Sequence, residues 1–190
     1  MNTQSRLNPP TILTLLRILI VPIVVLLLYV PDDHQISQSR SLITFLLFVA
    51  ATITDLFDGY LARRYKMVTA FGKLLDPLAD KLLVCSSMIM LVPPERVPAW
   101  MVAIVVAREI GVTALRGVAS TEGLVIAASK LGKAKTLLLN IGVALLILHY
   151  PVFGLDSHLI GLVFLAGGIV LTAWSGIDYF FRFVGEIFKH

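Results

Sequence analysis

Long apolar runs are the feature that most constrains how this chain can fold. Several of them approach 20 residues, and an α-helix needs roughly 20 apolar residues to cross the hydrocarbon core of a bilayer. Hydrophobic residues make up 57% of the 190 residues and charged residues only 15%, whereas soluble domains are about 45–50% apolar and about 25% charged. The sequence therefore excludes a disordered chain and an ordinary soluble enzyme. It predicts an all-α, polytopic integral membrane protein.

The apolar runs predict six transmembrane helices within a single membrane domain that covers residues 1–190. Segments rich in Pro and polar residues, or basic segments, separate the runs. The predicted spans cover approximately residues 11–30, 42–65, 74–92, 97–118, 132–150 and 159–183. The single cysteine, Cys85, excludes a disulfide framework and a cysteine-based zinc site.

The positions of Lys and Arg predict the orientation of the helices. If the N-terminus is cytoplasmic, all of the 16 Lys and Arg residues except Arg40 and Arg96 lie on the cytoplasmic side. This is the positive-inside bias of inner-membrane proteins, and an even number of spans returns the C-terminus to the cytoplasm. The formal charge of +4 is then explained by topology, and no nucleic-acid partner is expected.

Ionisable residues inside the predicted spans lie at a similar depth. At about 1.5 Å per residue, roughly 16–20 Å of apolar helix separates the outer surface from Asp55, Asp80, Arg108 and Lys135. An ionisable group within the bilayer costs a few kcal/mol or more, and it usually faces the bundle interior or a water-filled cavity. The sequence therefore predicts one shared polar cavity that opens to the cytoplasm.

Four aspartates in this zone form two pairs. Asp55 and Asp58 are three residues apart, and Asp76 and Asp80 are four apart, so each pair lies on one face of its helix. Four acids at one depth cannot all be ionised unless protons or cations compensate them. Ligands that offer only oxygen suit a hard cation such as Mg²⁺, Mn²⁺ or Ca²⁺. Taken singly, Asp76 before Pro77 could be a helix cap, and Asp58 could mark a turn.

The spacing of these residues resembles the signature of the CDP-alcohol phosphotransferase family. The chain reads Asp55, two residues, Asp58-Gly59, two residues, Ala62-Arg63, eight residues, Gly72, three residues, Asp76, three residues, Asp80, and it matches the family pattern at every fixed position. The resemblance implies transfer of a substituted phosphate from a CDP-linked donor to an alcohol, with release of CMP. It also implies that the four aspartates bind two divalent cations, Mg²⁺ or Mn²⁺, and that Asp80 is the general base.

The same resemblance extends to the binding of the donor. The first residues of the chain resemble the N-x-P-[NT]-x-L-T-x-x-R start of the phosphatidylglycerophosphate synthase branch of the family. The resemblance assigns six residues to the donor, namely Asn8, Pro10, Thr11, Gly59, Arg63 and Thr69. Two alternatives stay open, because residues 8–11 could simply begin a helix and Arg63 could be a charge that anchors the protein at the inner leaflet.

Basic residues in the second half of the chain predict an anionic acceptor. Arg108 and Arg116 lie about 12 Å apart along the fourth span, and Lys133 and Lys135 begin the fifth. No acidic cluster lies nearby, although Glu109 could pair with one of these charges and Glu122 lies in the adjoining loop. The alternative is a basic belt that attracts anionic lipid. The local sequence again resembles the phosphatidylglycerophosphate synthase branch, which implies CDP-diacylglycerol as donor and sn-glycerol 3-phosphate as acceptor, with the acceptor phosphate on these four cations.

Two rival functions are compatible with the same residues. The first is the same chemistry with another acceptor, such as inositol phosphate, serine or phosphatidylglycerol. The second is an ion-coupled transporter, since transporters also carry acids and bases within the membrane, although their sites usually lie near the midplane between repeats. The family resemblance further implies a homodimer.

Overall fold

The computed structural model describes residues 9–31, 35–64, 70–121, 130–152 and 154–187. Within residues 55–64 and 70–77 it describes the helical backbone and, of the side chains, only that of Leu75. The described ranges contain six α-helices, which are α1 (Pro9–Leu28), α2 (Gln38–Arg64), α3 (Ala70–Met90), α4 (Ala99–Thr121), α5 (Lys130–Leu148) and α6 (Ser157–Ile187).

Every regular element in these ranges is a helix, which confirms the all-α prediction. Each helix overlaps one predicted span, and the boundaries differ by no more than four residues. Within the described residues, Ser157–Asp178 is the one helical segment that is both long and apolar enough to cross a membrane. Shorter apolar segments occur at Ile12–Leu28, Gln38–Thr54 and Ala134–Leu148. The crossing of the membrane by all six helices therefore stays a prediction.

The helices pack around an apolar core. The most extensive contact joins α5 to α6, while α1 lies against α2 and α3. In addition, α2 packs on α5, and α4 packs on both α3 and α6. Fully buried side chains from four helices form the centre, including Leu28, Phe48, Met88 and Leu146. This arrangement places the middle of α3, α4 and α5 around a common space.

The contact between α5 and α6 depends on glycine. A Cβ atom built on Gly142 would lie 2.8 Å from the backbone nitrogen of Leu165, and one built on Gly161 would lie 3.1 Å from the carbonyl oxygen of Gly142. Real Cβ atoms essentially never approach other atoms closer than 3.0 Å. Small residues allow two helix backbones to approach in this way, and the close approach adds van der Waals contact.

The last carbonyl groups of α1 accept hydrogen bonds from an arginine. The guanidinium of Arg40 donates to the carbonyl oxygens of Leu27 and Tyr29, both at 2.7 Å. Carbonyl groups in the last turn of a helix have no partner within the helix. Arg40 therefore satisfies the end of α1 from the first turn of α2.

A second arginine, Arg96, donates hydrogen bonds to carbonyl groups at the end of α5. Arg96 is only 2% exposed, and its guanidinium donates to the carbonyl oxygens of Ile147 at 2.6 Å and Ile36 at 3.2 Å. The hydroxyl of Tyr150 donates to the same Ile36 oxygen at 2.7 Å. Burial lowers the pKa of Arg96 to about 10, which leaves the group charged at neutral pH. The two arginines that break the charge bias thus both satisfy helix carboxyl ends.

Candidate active site

A cavity lies where α3, α4 and α5 meet, and it is here called the α3–α4–α5 cavity. It holds about 330 Å³ of space, part of which is open to solvent. The enclosed part of this space is about 30 Å³, which is room for an ordered water molecule, so a larger solute would also occupy the open part. Its wall consists of Asp80, Lys81, Val84, Cys85, Val105, Glu109, Thr136, Leu139 and Asn140.

Helical spacing explains why these residues share one wall. On α3 the lining residues are Asp80 and Lys81 and, one turn further along, Val84 and Cys85. On α4 they are Val105 and Glu109, which are four residues apart. Residues three or four apart lie on one helix face. The structure therefore places the predicted general base, Asp80, on the wall of a cavity whose surface is mostly apolar.

Three cations surround the carboxylate of Glu109. Its Oε1 accepts hydrogen bonds from Arg108 Nη1 at 2.7 Å and from Lys135 Nζ. Lys81 Nζ lies 4.0 Å from Oε2 and donates to the hydroxyl of Thr113. These four charged residues, Lys81, Arg108, Glu109 and Lys135, are here called the Glu109 cluster. Lys135 is 7% exposed, so the cluster is largely shielded from solvent.

Arg108 is held from a third helix. Its Nη2 donates to the hydroxyl of Ser175 on α6 at 2.7 Å, and that hydroxyl donates to the carbonyl oxygen of Thr172 at 3.1 Å. Its Nε is buried and has no hydrogen-bond partner among the described residues. The guanidinium is thus held between Glu109 on its own helix and Ser175 on α6.

The Glu109 cluster carries more positive than negative charge. Three cations against one carboxylate leave two positive charges, which matches the charge of a phosphomonoester dianion. Charge-assisted hydrogen bonds from Arg and Lys are the usual contacts of phosphate groups. From the sequence, Glu109 was expected to pair with one cation. In the structure its carboxylate accepts hydrogen bonds from two cations, Arg108 and Lys135, and lies near a third, Lys81.

The structure brings together two of the four predicted acceptor cations. Arg108 on α4 and Lys135 on α5 meet at the same oxygen of Glu109. The side chains of Arg116 and Lys133 lie outside the described part of the chain. Their predicted contact with the acceptor stays a prediction.

Most side chains of the predicted metal and donor sites also lie outside the part of the chain that the structure describes. This applies to the side chains of Asn8, Pro10, Thr11, Asp55, Asp58, Gly59, Arg63, Thr69 and Asp76. The backbone places Asp55 and Asp58 on α2 and Asp76 on α3, one turn before Asp80, and these two helices are in contact. Within the described residues, no group of three or more His, Cys, Asp or Glu is gathered, but three of the four aspartate side chains are not among them.

Arg17 has a position that its sequence context did not reveal. It was expected as a cytoplasmic charge and as the last residue of the N-x-P-[NT]-x-L-T-x-x-R segment, but it is 2% exposed, and its Nε donates to the carbonyl oxygen of Ala51 at 3.2 Å. Ala51 lies one helical turn before Asp55. Arg17 therefore fastens α1 to α2 just before the aspartate motif begins.

Two further residues of the cavity wall, Lys81 and Asn140, were not predicted as site residues. Lys81 directly follows Asp80, and Asn140 interrupts the otherwise apolar run of residues 137–148. A polar residue inside an apolar helix is a signal of a functional position. Both residues could therefore have been found from the sequence.

Comparison with known proteins gives a consistent result. A family model described as CDP-alcohol phosphatidyltransferase matches residues 7–174. The chain is 41% identical over 180 residues to the CDP-diacylglycerol–glycerol-3-phosphate 3-phosphatidyltransferase of Bacillus subtilis, covering 91% of this chain and 93% of the relative.

Two other relatives show similar agreement. A probable phosphatidylglycerophosphate synthase of Mycobacterium tuberculosis is 40% identical, covering 95% of this chain and 83% of its own. A CDP-diacylglycerol–glycerol-3-phosphate 3-phosphatidyltransferase of Rickettsia typhi is 39% identical, covering 91% of this chain and 95% of its own. The family model covers helices α1 to α5 completely and α6 up to residue 174.

Proposed function

Because this chain belongs to the CDP-alcohol phosphatidyltransferase family, we propose that it transfers the phosphatidyl group of CDP-diacylglycerol to sn-glycerol 3-phosphate. CMP is released, and the product is phosphatidylglycerophosphate, on the route to phosphatidylglycerol and cardiolipin. Relatives that align with over nine-tenths of the chain are named for this reaction, which supports the proposal. The observation that carries the choice of acceptor is the Glu109 cluster beside Asp80, with its two surplus positive charges.

The acceptor phosphate binds at the Glu109 cluster in this proposal. Arg108 offers a planar guanidinium, and Lys135 offers a compact ammonium group. Lys81 adds a third positive charge on the side of the general base. Arg116 and Lys133, which the family resemblance also assigns to this phosphate, complete the set. An uncharged acceptor such as serine would bring no net negative charge to these cations.

Asp80 acts as the general base. Its place on the wall of the α3–α4–α5 cavity lets it face an acceptor whose phosphate lies on the Glu109 cluster. Asp80 takes the proton from the C1 hydroxyl of glycerol 3-phosphate. The freed oxygen forms a bond to the lipid-side phosphorus of the donor, the bond from that phosphorus to the CMP oxygen breaks, and CMP leaves as the anion.

Two divalent cations, Mg²⁺ or Mn²⁺, are proposed to be held by Asp55, Asp58, Asp76 and Asp80. The donor set fits such ions, because carboxylate oxygens are their preferred ligands and the motif contains no Cys or His. When bound, the cations neutralise the diphosphate of the donor and the charge that develops on CMP. The aspartates lie on two helices that pack together, which gives the protein a fixed frame for these ligands.

The donor is proposed to lie with its tails in the bilayer and its cytidine near Asn8, Pro10, Thr11, Gly59, Arg63 and Thr69. Glycerol 3-phosphate is water-soluble, so the site must open to the cytoplasm. The protein would then span the inner membrane six times, with both termini in the cytoplasm, and would form a homodimer as the family resemblance implies.

The test is CMP release by the purified protein with CDP-diacylglycerol in detergent. We expect release only when glycerol 3-phosphate and Mg²⁺ or Mn²⁺ are present, and we expect a chelator to abolish it until metal is restored. Asp80→Asn should lower kcat by about 100-fold or more, since a positioned base contributes on the order of 10²–10⁴-fold. Glu95→Gln is the matched control, because Glu95 is an exposed carboxylate in the α3–α4 connection.

Three results would contradict parts of this proposal. Unchanged CMP release by Asp80→Asn would remove the base assignment. Faster reaction with serine, inositol phosphate or phosphatidylglycerol than with glycerol 3-phosphate would replace the acceptor. Ion transport into vesicles without any release of CMP would indicate a transporter.

A further inference from the structure

Asn140 is a polar residue on the cavity wall that the proposed reaction does not yet use. It lies on α5 and faces the same cavity as Asp80 and Glu109. Its amide oxygen, Oδ1, is shielded from solvent and has no hydrogen-bond partner within the described part of the chain. Asn140 thus brings to the cavity wall an acceptor that no described residue pairs.

An unpaired amide oxygen is unfavourable in this position. A buried acceptor has lost its hydrogen bonds to water, and most buried polar groups in proteins recover them from a partner. Apolar side chains of Val84, Val105 and Leu139 form the neighbouring wall. A leucine at position 140 would suit both the helix and these neighbours, so the amide oxygen needs a donor that the described residues do not supply.

The neighbouring groups indicate which donor this is. Lys135 precedes Asn140 by five residues, or about 7 Å along the axis of α5, and it belongs to the Glu109 cluster. If the acceptor phosphate lies on that cluster and the reacting C1 hydroxyl lies on Asp80, the hydroxyl at C2 is the group left between the two ends. It is the free donor that an amide oxygen on the same wall can meet.

Resting on the proposed function, we propose that Asn140 Oδ1 accepts a hydrogen bond from the C2 hydroxyl of glycerol 3-phosphate and thereby determines acceptor specificity. Three contacts, at the phosphate, the C1 hydroxyl and the C2 hydroxyl, then define the configuration at C2. The residue would distinguish sn-glycerol 3-phosphate from its mirror image, sn-glycerol 1-phosphate, and from 3-hydroxypropyl phosphate, which lacks the C2 hydroxyl.

The test compares these three acceptors in CMP release by the wild-type protein and by Asn140→Ala and Asn140→Leu. We expect the wild type to prefer sn-glycerol 3-phosphate over 3-hydroxypropyl phosphate by at least about ten-fold in kcat/KM, because a buried amide is left unpaired with the latter. In both variants the ratio of kcat/KM for sn-glycerol 3-phosphate to kcat/KM for 3-hydroxypropyl phosphate should fall towards one, because activity with sn-glycerol 3-phosphate is lost. Leu139→Ala is the matched control, since it alters the same wall and should slow both acceptors alike.

A second measurement does not depend on turnover. Cys85 is the single cysteine of the chain and lines the same cavity, so acceptor binding should slow its alkylation by N-ethylmaleimide. In the wild type, sn-glycerol 3-phosphate should protect at lower concentration than 3-hydroxypropyl phosphate. In Asn140→Ala the two concentrations should become equal.

The outcomes separate the two proposals. If the wild type reacts with sn-glycerol 3-phosphate and the variants keep its full preference over 3-hydroxypropyl phosphate, the role of Asn140 is overturned. Equal protection of Cys85 by both acceptors in the wild type also overturns it. If sn-glycerol 3-phosphate neither supports CMP release nor protects Cys85, the proposed function itself fails.

Discussion

A single carboxylate organises the charges of the cavity. Glu109 receives hydrogen bonds from Arg108 and Lys135, which come from different helices, and it lies near Lys81 on a third. Without it, three cations would face one another with no carboxylate between them. Glu109 therefore holds the three cations together while leaving the cluster enough positive charge to bind a dianion.

We predict that Glu109→Gln lowers the thermal unfolding midpoint of the protein in detergent. Glutamine keeps the shape of the side chain but removes its charge, and removal of one partner from a buried ion pair costs roughly 3–5 kcal/mol. Inorganic phosphate should raise the midpoint of the variant more than that of the wild type, because the anion can take the place of the lost charge among the cations. The measurement is the midpoint in phosphate and in chloride at equal ionic strength.

The control for this prediction is Glu95→Gln, which removes a charge from an exposed position. Its free energy of unfolding should stay within about 0.5 kcal/mol of that of the wild type, so its midpoint should hardly change. A Glu109→Gln variant as stable as the wild type, or one that phosphate and chloride stabilise equally, would show that the carboxylate does not compensate the cations.

Single residues show where sequence interpretation succeeds and where it stops. Counting along helices predicted a common depth for Asp80, Arg108 and Lys135, because the rise per residue is fixed. It did not predict that Lys81 would turn towards Glu109, since that depends on how α3 and α4 are rotated against each other. The unpaired oxygen of Asn140 likewise depends on which neighbours the folded chain supplies.

At the scale of helices, the close contact of α5 and α6 holds two walls of the site together. Lys135 and Asn140 lie on α5, whereas Ser175, which holds Arg108, lies on α6. The two helices approach at Gly142 and Gly161, where a Cβ atom would meet backbone atoms of the other helix. The position of the Glu109 cluster thus depends on residues that carry no side chain at all.

We predict that Gly142→Ala destabilises the protein by about 1–3 kcal/mol, the usual cost of overfilling a packed contact. Gly167→Ala is the matched control, because a Cβ at Gly167 has Leu138 as its nearest neighbour, at 3.8 Å. The control should be neutral or slightly stabilising, since Ala favours a helix by up to about 1 kcal/mol over Gly. Thermal unfolding in detergent measures both. Equal midpoints for the two variants would refute the close contact.

The number of helices could be predicted from the sequence, while the details of their ends could not. Apolar runs of a set length identify helices whatever their neighbours are, and all six occur where they were expected. Arg40 and Arg96 were interpreted only as charges on the outer side. Their bonds to the carbonyl groups of α1 and α5 join segments that are distant in the chain, so the sequence pattern does not contain them.

At the scale of the whole molecule, the two ends of the bundle differ. One end carries Arg40, Arg96 and Tyr150, which donate hydrogen bonds to backbone carbonyl groups. The cavity and the Glu109 cluster lie away from that end. Large apolar side chains are exposed along the helices, including Leu19 at 63% and Val170 at 67%. An apolar surface of this kind is unusual for a soluble monomer and suits contact with lipid.

We predict that the connection between α3 and α4 faces the outside and that the end of α6 faces the cytoplasm. Two single-cysteine proteins test this in a Cys85→Ser background, namely Glu95→Cys and Gly185→Cys. Both positions are exposed, and a Cβ at Gly185 meets nothing within 4 Å. In spheroplasts, a membrane-impermeant maleimide should label position 95 alone, because the bilayer blocks its path to position 185. After permeabilisation both should react. Labelling of position 185 in intact spheroplasts would contradict a cytoplasmic C-terminus and, with it, the placement of the active site on the cytoplasmic face.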